Sequence, residues 1–425
     1  MITMALHRCK RLCSMIRPMA LVFGVLAAFS FSAHATDYTL TQLFELASEK
    51  HPSVLQARNQ AQAAGFDVES AQWGRFPTVS SQLRSDSNLT QSLAKVEQPL
   101  WTGGKLTSRI ELSEANLRAA EAGIHEAQFN ALSQVATAFF EALRLEQRLQ
   151  SAILNVAEHE RLVALIKRRS EAEISPPADT TLAQARLQQA VSERIQIKKQ
   201  LDASLTTLAQ WTTPLNGALK APADILFTRP SESVMLERTI ANSAQRKRLQ
   251  SQIESAEAQI NVSKAQVLPS VVAGFQHTWG GMVPAGYDRN KGYFGLEFQS
   301  GAGLSARAGV QAAVSRKEAS QQELETLERN LTSQVNAALS ELEALEAQLE
   351  PSKALLEGTT EVVESYLRQY QVGRKNWLDV LNAQREKTQA LYSDADTRFG
   401  YQLSKVRLMI MTGDISAQQL TALHD

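Results

Sequence analysis

Two long stretches of the chain follow a helical pattern of apolar and polar positions, and both are poor in residues that break helices. Between Lys105 and Ala172 there is no proline and one glycine, and Ala, Glu, Gln, Leu and Arg dominate, all of which favour helix. The second stretch runs from about Leu304 to Val372 and contains Pro351, where we expect a kink. Each helix would be about 100 Å long, a length typical of coiled coils or helical arrays and not of a globular core.

Each long stretch ends in a break, after which the helical pattern resumes. Ser175-Pro176-Pro177 interrupts the first stretch and Val372-Gly373 interrupts the second. The pattern returns over 179–211 and 377–412, so each half of the chain is predicted to contain a long helical hairpin. Further helices are predicted over 40–74 and 234–266, and a proline-rich connector over 213–233.

Four short segments with weak two-residue alternation are predicted to be strands. The first two lie near 77–87 and 93–101, and the other two follow Pro269. Each has about the 9–11 residues that a tilted strand needs to cross a membrane. The residues predicted to share one face are Val79 and Leu83 of the first strand, Val271, Ala273, Phe275 and Trp279 of the third, and Phe294, Leu296 and Phe298 of the fourth.

The two halves repeat each other at a spacing of about 200 residues. We therefore divide the chain into a first structural repeat, 36–233, and a second repeat, 234–425. Each repeat has a helix, two strands and a long helical hairpin. The matching positions are Gln134-Val135 with Gln334-Val335, Glu141 with Glu341, Asp179 with Asp379, Ala183-Gln184 with Ala383-Gln384, and Arg75–Val79 with Val267–Val271.

Residues 1–35 have the features of a cleavable signal peptide for export. They combine a basic start, an apolar run from Met19 to Phe31 and an Ala33-His34-Ala35 cleavage site. Cleavage would remove four basic residues and leave 40 Lys and Arg against 44 Asp and Glu, a balance that does not favour nucleic acid. Cleavage would also remove Cys9 and Cys13, so we expect neither a disulfide nor a lipid anchor.

The predicted strands point to an oligomer. Beyond the signal, no apolar stretch is long enough for a membrane helix, so a membrane-spanning part would consist of strands. Four strands are too few to close a barrel, and open sheet edges in lipid cost several kcal/mol per unpaired group. A barrel shared between chains is therefore expected.

Two motifs resemble those of the TolC family of outer-membrane export channels. Tyr370-Gln-Val-Gly-Arg-Lys-Asn-Trp-Leu-Asp-Val-Leu-Asn-Ala-Gln384 is similar to the family's second hairpin tip, and Glu97–Gly104 is similar to its exit from the second strand. The resemblance implies a mainly α chain in a homotrimer. Three chains would form a twelve-stranded membrane barrel on a twelve-helix periplasmic tunnel, with the connector and the C-terminal tail in an equatorial belt.

The resemblance also assigns functional positions. It implies a periplasmic gate of Asp179, Tyr370 and Lys375, and a pore constriction at Asp379 and Asn382, where related channels often have a second aspartate. Glu173 stands where the family has glycine. The remaining positions are the hairpin-tip and adaptor contacts Glu173, Pro176 and Gly373, and the strand exit turn Gly103-Gly104.

Structural alternatives remain for these residues. Asp179 and Asp379 could cap the helices that begin there, and Tyr370 could be ordinary packing between helices. Trp101, Trp279 and Tyr293 are interpreted as an aromatic girdle at the membrane interface, with strand aromatics of a core as the alternative.

The resemblance implies a transport protein with no enzymatic activity and no cofactor, working with a periplasmic adaptor and an inner-membrane ABC or RND transporter. The missing lipidation cysteine and the compact C-terminus favour type I secretion of a large protein such as an adhesin. One alternative is efflux of small molecules. A different class of alternative is a periplasmic coiled-coil adaptor or structural rod, which would need no amphipathic strands.

Overall fold

A computed structural model describes residues 37–86, 89–215, 217–222, 225, 227–280, 288–298 and 305–415. The predicted signal peptide, 1–35, and the end of the C-terminal tail lie outside this part of the chain. Within it, the first half contains α1 Leu40–Lys50, α2 Pro52–Trp73, β1 Thr78–Asp86, β2 Leu89–Trp101, α3 Lys105–Glu171 and α4 Pro177–Trp211. The second half contains α5 Glu232–Asn242, α6 Ala244–Ala265, β3 Ser270–Gly280, β4 Asn290–Glu297, α7 Ser305–Gln371 and α8 Trp377–Thr412.

The predicted mainly α chain with four strands and two long helical hairpins is confirmed. α3 and α7 each have 67 residues. The helices before the strands recur at a spacing of 192 residues, since α1 begins at Leu40 and α5 at Glu232. The long helices recur at 200, since α3 begins at Lys105 and α7 at Ser305. Eight additional residues of the second half therefore lie between the start of β3 and the start of α7.

Two local predictions were wrong in detail. The helices predicted over 40–74 and 234–266 are each divided in two. His51 is extended before Pro52, and Ser243 leaves helical geometry and accepts a hydrogen bond from the Arg246 N–H at 3.2 Å. α7 continues through Pro351 as one helix, with buried residues of α7 and α8 packed on both sides of it, and the kink there stays a prediction. β2 begins at Leu89, four residues before its predicted start.

The four strands form one antiparallel sheet in the order β1-β2-β3-β4. β2 and β3 come from different halves of the chain and pair over most of their length. β1 and β4 are the two edges. Among the described residues, no helix is both long enough and apolar enough to cross a membrane.

The helices bury two main clusters of side chains, far apart along the rods. One cluster joins α1, the middle of α3 and the ends of α4 and α8, and includes Phe44, Phe139, Phe140 and Leu208. The connector is held beside it, where Tyr38 N–H donates to Ala218 O at 2.8 Å. The other cluster joins all four long helices near the hairpin tips and is formed by Leu162, Ile166, Ala183, Val363, Leu367, Tyr370, Trp377, Val380, Leu381 and Ala383.

Candidate functional site at the sheet and the hairpin tips

One face of the sheet is apolar and exposed. Val79, Leu83 and Phe294 are each more than 70% exposed although they lie in regular strands. The register places them on the same face as Val96, Phe275 and Leu296. No charged residue lies on this face among the strand residues whose side chains are described. A soluble protein rarely exposes so large an apolar surface, so this face is suited to lipid.

Two tryptophans lie at opposite ends of the apolar face. A register shift between Pro99 and Trp101 pairs Trp101 with Val271 and turns it onto this face. Trp279 lies eight residues along β3 from Val271, about 26 Å away at 3.3 Å per residue. Their positions fit the predicted interfacial girdle. Tyr293 does not, because it pairs with Gly274 on the opposite, polar face and donates to Glu97 Oε2 at 2.8 Å.

Gly103 and Gly104 lie in the turn from β2 into α3. Both are left-handed, with φ of 61° and 86°, a conformation that costs other residues about 1–2 kcal/mol. A Cβ on Gly103 would also lie 2.5 Å from Leu268 Cβ. Gly104 has open space around it. Gly103 is therefore required for two reasons and Gly104 for one.

The two hairpin tips have the same backbone turn. After α3, the Glu173 N–H donates to Ser170 O at 3.0 Å and the Ile174 N–H donates to Arg169 O at 2.8 Å. After α7, the Gly373 and Arg374 N–H groups make the equivalent bonds at 3.1 and 2.9 Å. Each tip is thus a helix end of the Schellman type, which needs a left-handed residue at its centre. Gly373 has φ 75° and Glu173 has φ 57°.

We expect Glu173→Gly to stabilise the first tip by up to about 1 kcal/mol, since glycine removes the left-handed strain of about 1–2 kcal/mol but adds freedom to the unfolded chain. Gly373→Glu is the matched control. A Cβ there meets nothing within 4 Å, so only the backbone strain changes, and the second tip should lose stability.

The measurement is amide hydrogen exchange of the tip peptides, because the Ile174 and Arg374 N–H groups close the two turns. Slower exchange at Ile174 in Glu173→Gly and faster exchange at Arg374 in Gly373→Glu are expected. Unchanged exchange in both variants would contradict the strain at Glu173.

Tyr370 joins the two hairpins within one chain. Its hydroxyl lies 3.2 Å from Ser175 Oγ in the first tip turn. The Arg169 guanidinium lies over its ring at 4.9 Å, and the Trp377 ring packs beside it at 5.3 Å. Tyr370 is buried. It therefore serves as packing and as a polar link between the tips, and Ser175, which sequence reasoning missed, is its partner.

Lys375 and Asp379 face each other at the start of α8. Lys375, in the turn before α8, has its Nζ 3.7 Å from Asp379 Oδ2 and 4.2 Å from the centre of the Tyr366 ring. Within the described part of the chain, no hydrogen bond or ion pair joins the Asp179 carboxylate to Tyr370 or Lys375. Asn382 lies one turn after Asp379 and is half-buried.

The capping interpretation of the two aspartates was wrong. Asn376 caps α8, and its side-chain oxygen accepts the Asp379 N–H at 2.8 Å. Pro176 occupies the cap position of α4 and supplies no side-chain bond. Asp179 and Asp379 are both in the first turn, where a carboxylate is favoured by the helix dipole.

A polar seam that the sequence did not reveal lies between α3, α4 and α8, behind the tips. Asn155 Oδ1 accepts hydrogen bonds from Gln384 at 3.0 Å and from Thr388 at 2.9 Å, and all three residues are buried. Next to them, burial lowers the pKa of the His159 imidazole, and Arg186 lowers it further while Glu158 opposes the shift. The imidazole is therefore mainly neutral at pH 7. The seam has no short motif because its partners are more than 220 residues apart.

The fold and the sheet surface define a channel or transport component of the outer membrane. The chain belongs to the family described as outer membrane efflux protein, whose sequence profile matches residues 43–212 and 235–414. The expected resemblance to TolC-type channels is confirmed, and this is a family of transport components and not of enzymes.

Relatives and a solved structure agree with this family. The chain is 26% identical over 324 residues to the nickel-cobalt-cadmium resistance protein NccC of Alcaligenes xylosoxydans xylosoxydans, covering 73% of this chain and 71% of NccC. It is 23% identical over 404 residues to outer membrane protein TolC of Vibrio cholerae serotype O1, covering 90% and 92%. A crystal structure of a membrane protein from Pseudomonas aeruginosa has the same fold, with a TM-score of 0.77 at 18% identity, covering 88% of this chain and 93% of the other.

Proposed function

We propose that this protein is the outer-membrane exit duct of a tripartite exporter and that it works as a homotrimer. The observation that carries the proposal is the open sheet. β1 and β4 are its edges, and one face of the sheet has no charged residue among the described side chains. Unpaired edges are not tolerated in lipid. Three chains would supply twelve strands, enough to close a barrel, and the equal helical hairpins would extend about 100 Å into the periplasm. Residues 36–233 and 234–425 would each contribute one hairpin.

The same proposal gives the chain its location and partners. A signal peptide over 1–35 would direct export, the apolar face of the sheet would contact outer-membrane lipid, and the hairpin tips would contact a periplasmic adaptor. The tip turns offer Glu173, Pro176 and Gly373 at the surface, next to exposed Ile174 and Val372. An inner-membrane ABC or RND transporter would supply energy.

For the cargo, the sequence favours type I secretion of a large protein, and efflux of a small solute is the second candidate. The likeness to NccC, a protein named for metal resistance, favours the second. Deleting the gene distinguishes secretion from efflux. Loss of one large protein from the culture medium at unchanged metal tolerance supports secretion, whereas sensitivity to nickel, cobalt or cadmium with a normal medium supports efflux.

We also propose that the tips form the closed end of the duct. Asp379 and Asn382 would line the constriction, and Tyr370, Lys375 and Asp179 would hold the hairpins together. A polar link between the two hairpins supports this arrangement, Tyr370 with Ser175, whereas the Lys375–Asp379 pair lies within the second hairpin. Asp179 makes no hydrogen bond or ion pair with Tyr370 or Lys375 in the described part of the chain, and it is half-exposed in the first turn of α4, where it is accessible to a neighbouring chain.

A carboxylate ring at the constriction should bind polyvalent cations applied from the periplasmic side. We expect Asp379→Asn to relieve block of the single-channel current in planar bilayers. Lys375→Met should strengthen the block, since it removes the cation that is 3.7 Å from Asp379. Asn382→Asp, which adds a second ring, should strengthen it further.

Block that is the same in Asp379→Asn and wild type would remove Asp379 from the pore. Channels that do not form at all from wild-type protein would contradict the proposed function itself.

A further inference from the structure

Two opposite charges and a tyrosine form a cluster on the polar face of the sheet. Lys95 and Glu97, two positions apart on β2, form an ion pair. Tyr293, on β4, donates a hydrogen bond to Glu97 Oε2 at 2.8 Å, and Lys95 Nζ lies 5.6 Å from the centre of its ring. The cluster therefore crosses β3 to join β2 and β4.

A glycine makes this arrangement fit. The register places Gly274 of β3 between Glu97 and Tyr293. A Cβ on Gly274 would lie 2.4 Å from Tyr293 Cζ, so the ring rests against bare backbone. The Tyr293 side chain thus lies flat against the sheet, where its hydroxyl holds the Glu97 carboxylate beside Lys95.

Among the strand residues with described side chains, every charged residue lies on this face. Phe275 and Phe294 lie on the other face, which is apolar. In the proposed barrel the apolar face contacts lipid, so the polar face lines the lumen, and the following step rests on that proposal. The charged strand residues with described side chains are Arg84, Lys95, Glu97, Lys291 and Glu297.

We propose that Lys95 and Glu97 determine the ion selectivity of the barrel lumen and that Tyr293 positions Glu97. Rings of charged side chains set the selectivity of pores. Here each chain contributes one positive and one negative group in contact, and the fields of such a pair largely cancel a few ångströms away. The pair therefore adds little net charge to the lumen, where Arg84, Lys291 and Glu297 add charges of their own, and removing either member of the pair shifts the total.

The test is the reversal potential of single channels in planar bilayers under a KCl gradient. Lys95→Met leaves three unpaired carboxylates, and we expect the K⁺/Cl⁻ permeability ratio to rise by about twofold or more. Glu97→Gln leaves three unpaired lysines and should lower the ratio by a similar factor. The exchange Lys95→Glu with Glu97→Lys keeps the sum of charges and should stay near wild type. Asp379, at the other end of the duct, contributes equally to the permeability ratio of the wild type and of the three variants.

A chemical variant covers the case in which a substitution prevents assembly. Lys95→Cys can be modified with an aminoethyl methanethiosulfonate, which restores a positive charge, because the other cysteines, Cys9 and Cys13, lie in the predicted signal. Modification should return the permeability ratio toward the wild-type value.

The outcomes are distinct. Conducting channels with the same ratio in all variants, before and after modification, would overturn the selectivity role and leave the proposed duct intact. Wild-type protein that forms no channels would instead overturn the proposed function on which this inference rests.

Discussion

Replacing Phe275 with arginine should destabilise the assembled protein by roughly 2–4 kcal/mol per chain, whereas arginine at the neighbouring Gln276 should cost less than about 1 kcal/mol. Phe275 lies halfway between the Val271 and Trp279 levels of the apolar face and is half-exposed. In the proposed barrel it is at the midplane of the bilayer, where a charge costs most. Gln276 is adjacent but lies on the polar face.

The measurement is the temperature at which the detergent-extracted oligomer dissociates, with outer-membrane yield as a second readout. Leu296→Arg is a depth control. Leu296 pairs with Val271, at the level of Trp101. An arginine at position 296 would therefore lie near the membrane interface, and Leu296→Arg should destabilise the protein less than Phe275→Arg. Equal stability of Phe275→Arg and Gln276→Arg would show that the two faces of the sheet lie in the same environment, and would contradict the prediction.

Gly103→Ala should destabilise the protein by about 2–5 kcal/mol, the sum of left-handed strain and overpacking. The added Cβ would lie 2.5 Å from Leu268 Cβ and 3.3 Å from Pro269 O. Those atoms belong to the segment that leads into β3, so relief of the clash would separate β2 from β3 at the base of the sheet.

Gly104→Ala is the matched control. It has the same sign of φ and nothing within 4 Å, so it should cost only the backbone strain, about 1–2 kcal/mol. Thermal unfolding followed by circular dichroism gives both values. A Gly103→Ala protein as stable as Gly104→Ala would exclude the close approach of Leu268.

The large elements could be predicted because they depend on local composition and period. α3 and α7 lack helix breakers over most of their length, and one internal proline did not end α7. The smaller breaks were harder. Pro52 marks the end of α1 in the sequence, but the division at Ser243 has no proline or glycine and is set by packing and by a cap to Arg246.

The two-residue period of β4 alone gives the correct face of the sheet for Tyr293. Phe294 and Leu296 were placed on one face, and an adjacent residue must point to the other. The girdle interpretation of Tyr293 overlooked this period. Its partner Glu97 could not be predicted from the sequence, because the hydrogen bond joins residues 196 positions apart.

At the hairpin tips, a contact between near neighbours in the sequence could likewise be predicted, and a contact between distant segments could not. The Lys375–Asp379 pair joins residues four positions apart, on the two sides of the start of α8, so it depends on local chain geometry alone. The contact of Tyr370 with Ser175 does not, because it spans 195 residues and depends on how two hairpins pack. The left-handed turn at Glu173 was indicated only by its alignment with Gly373.

The two 67-residue helices fix the level at which the hairpins end. Because the two tips contact each other through Tyr370 and Ser175 and have the same turn, an assembled trimer would present six ends at one height. A sixfold ring of docking positions would then be available, while Glu173 and Gly373 would alternate around it. A partner could bind all six ends for strength and still recognise two kinds of end, which would fix its rotation about the axis of the duct.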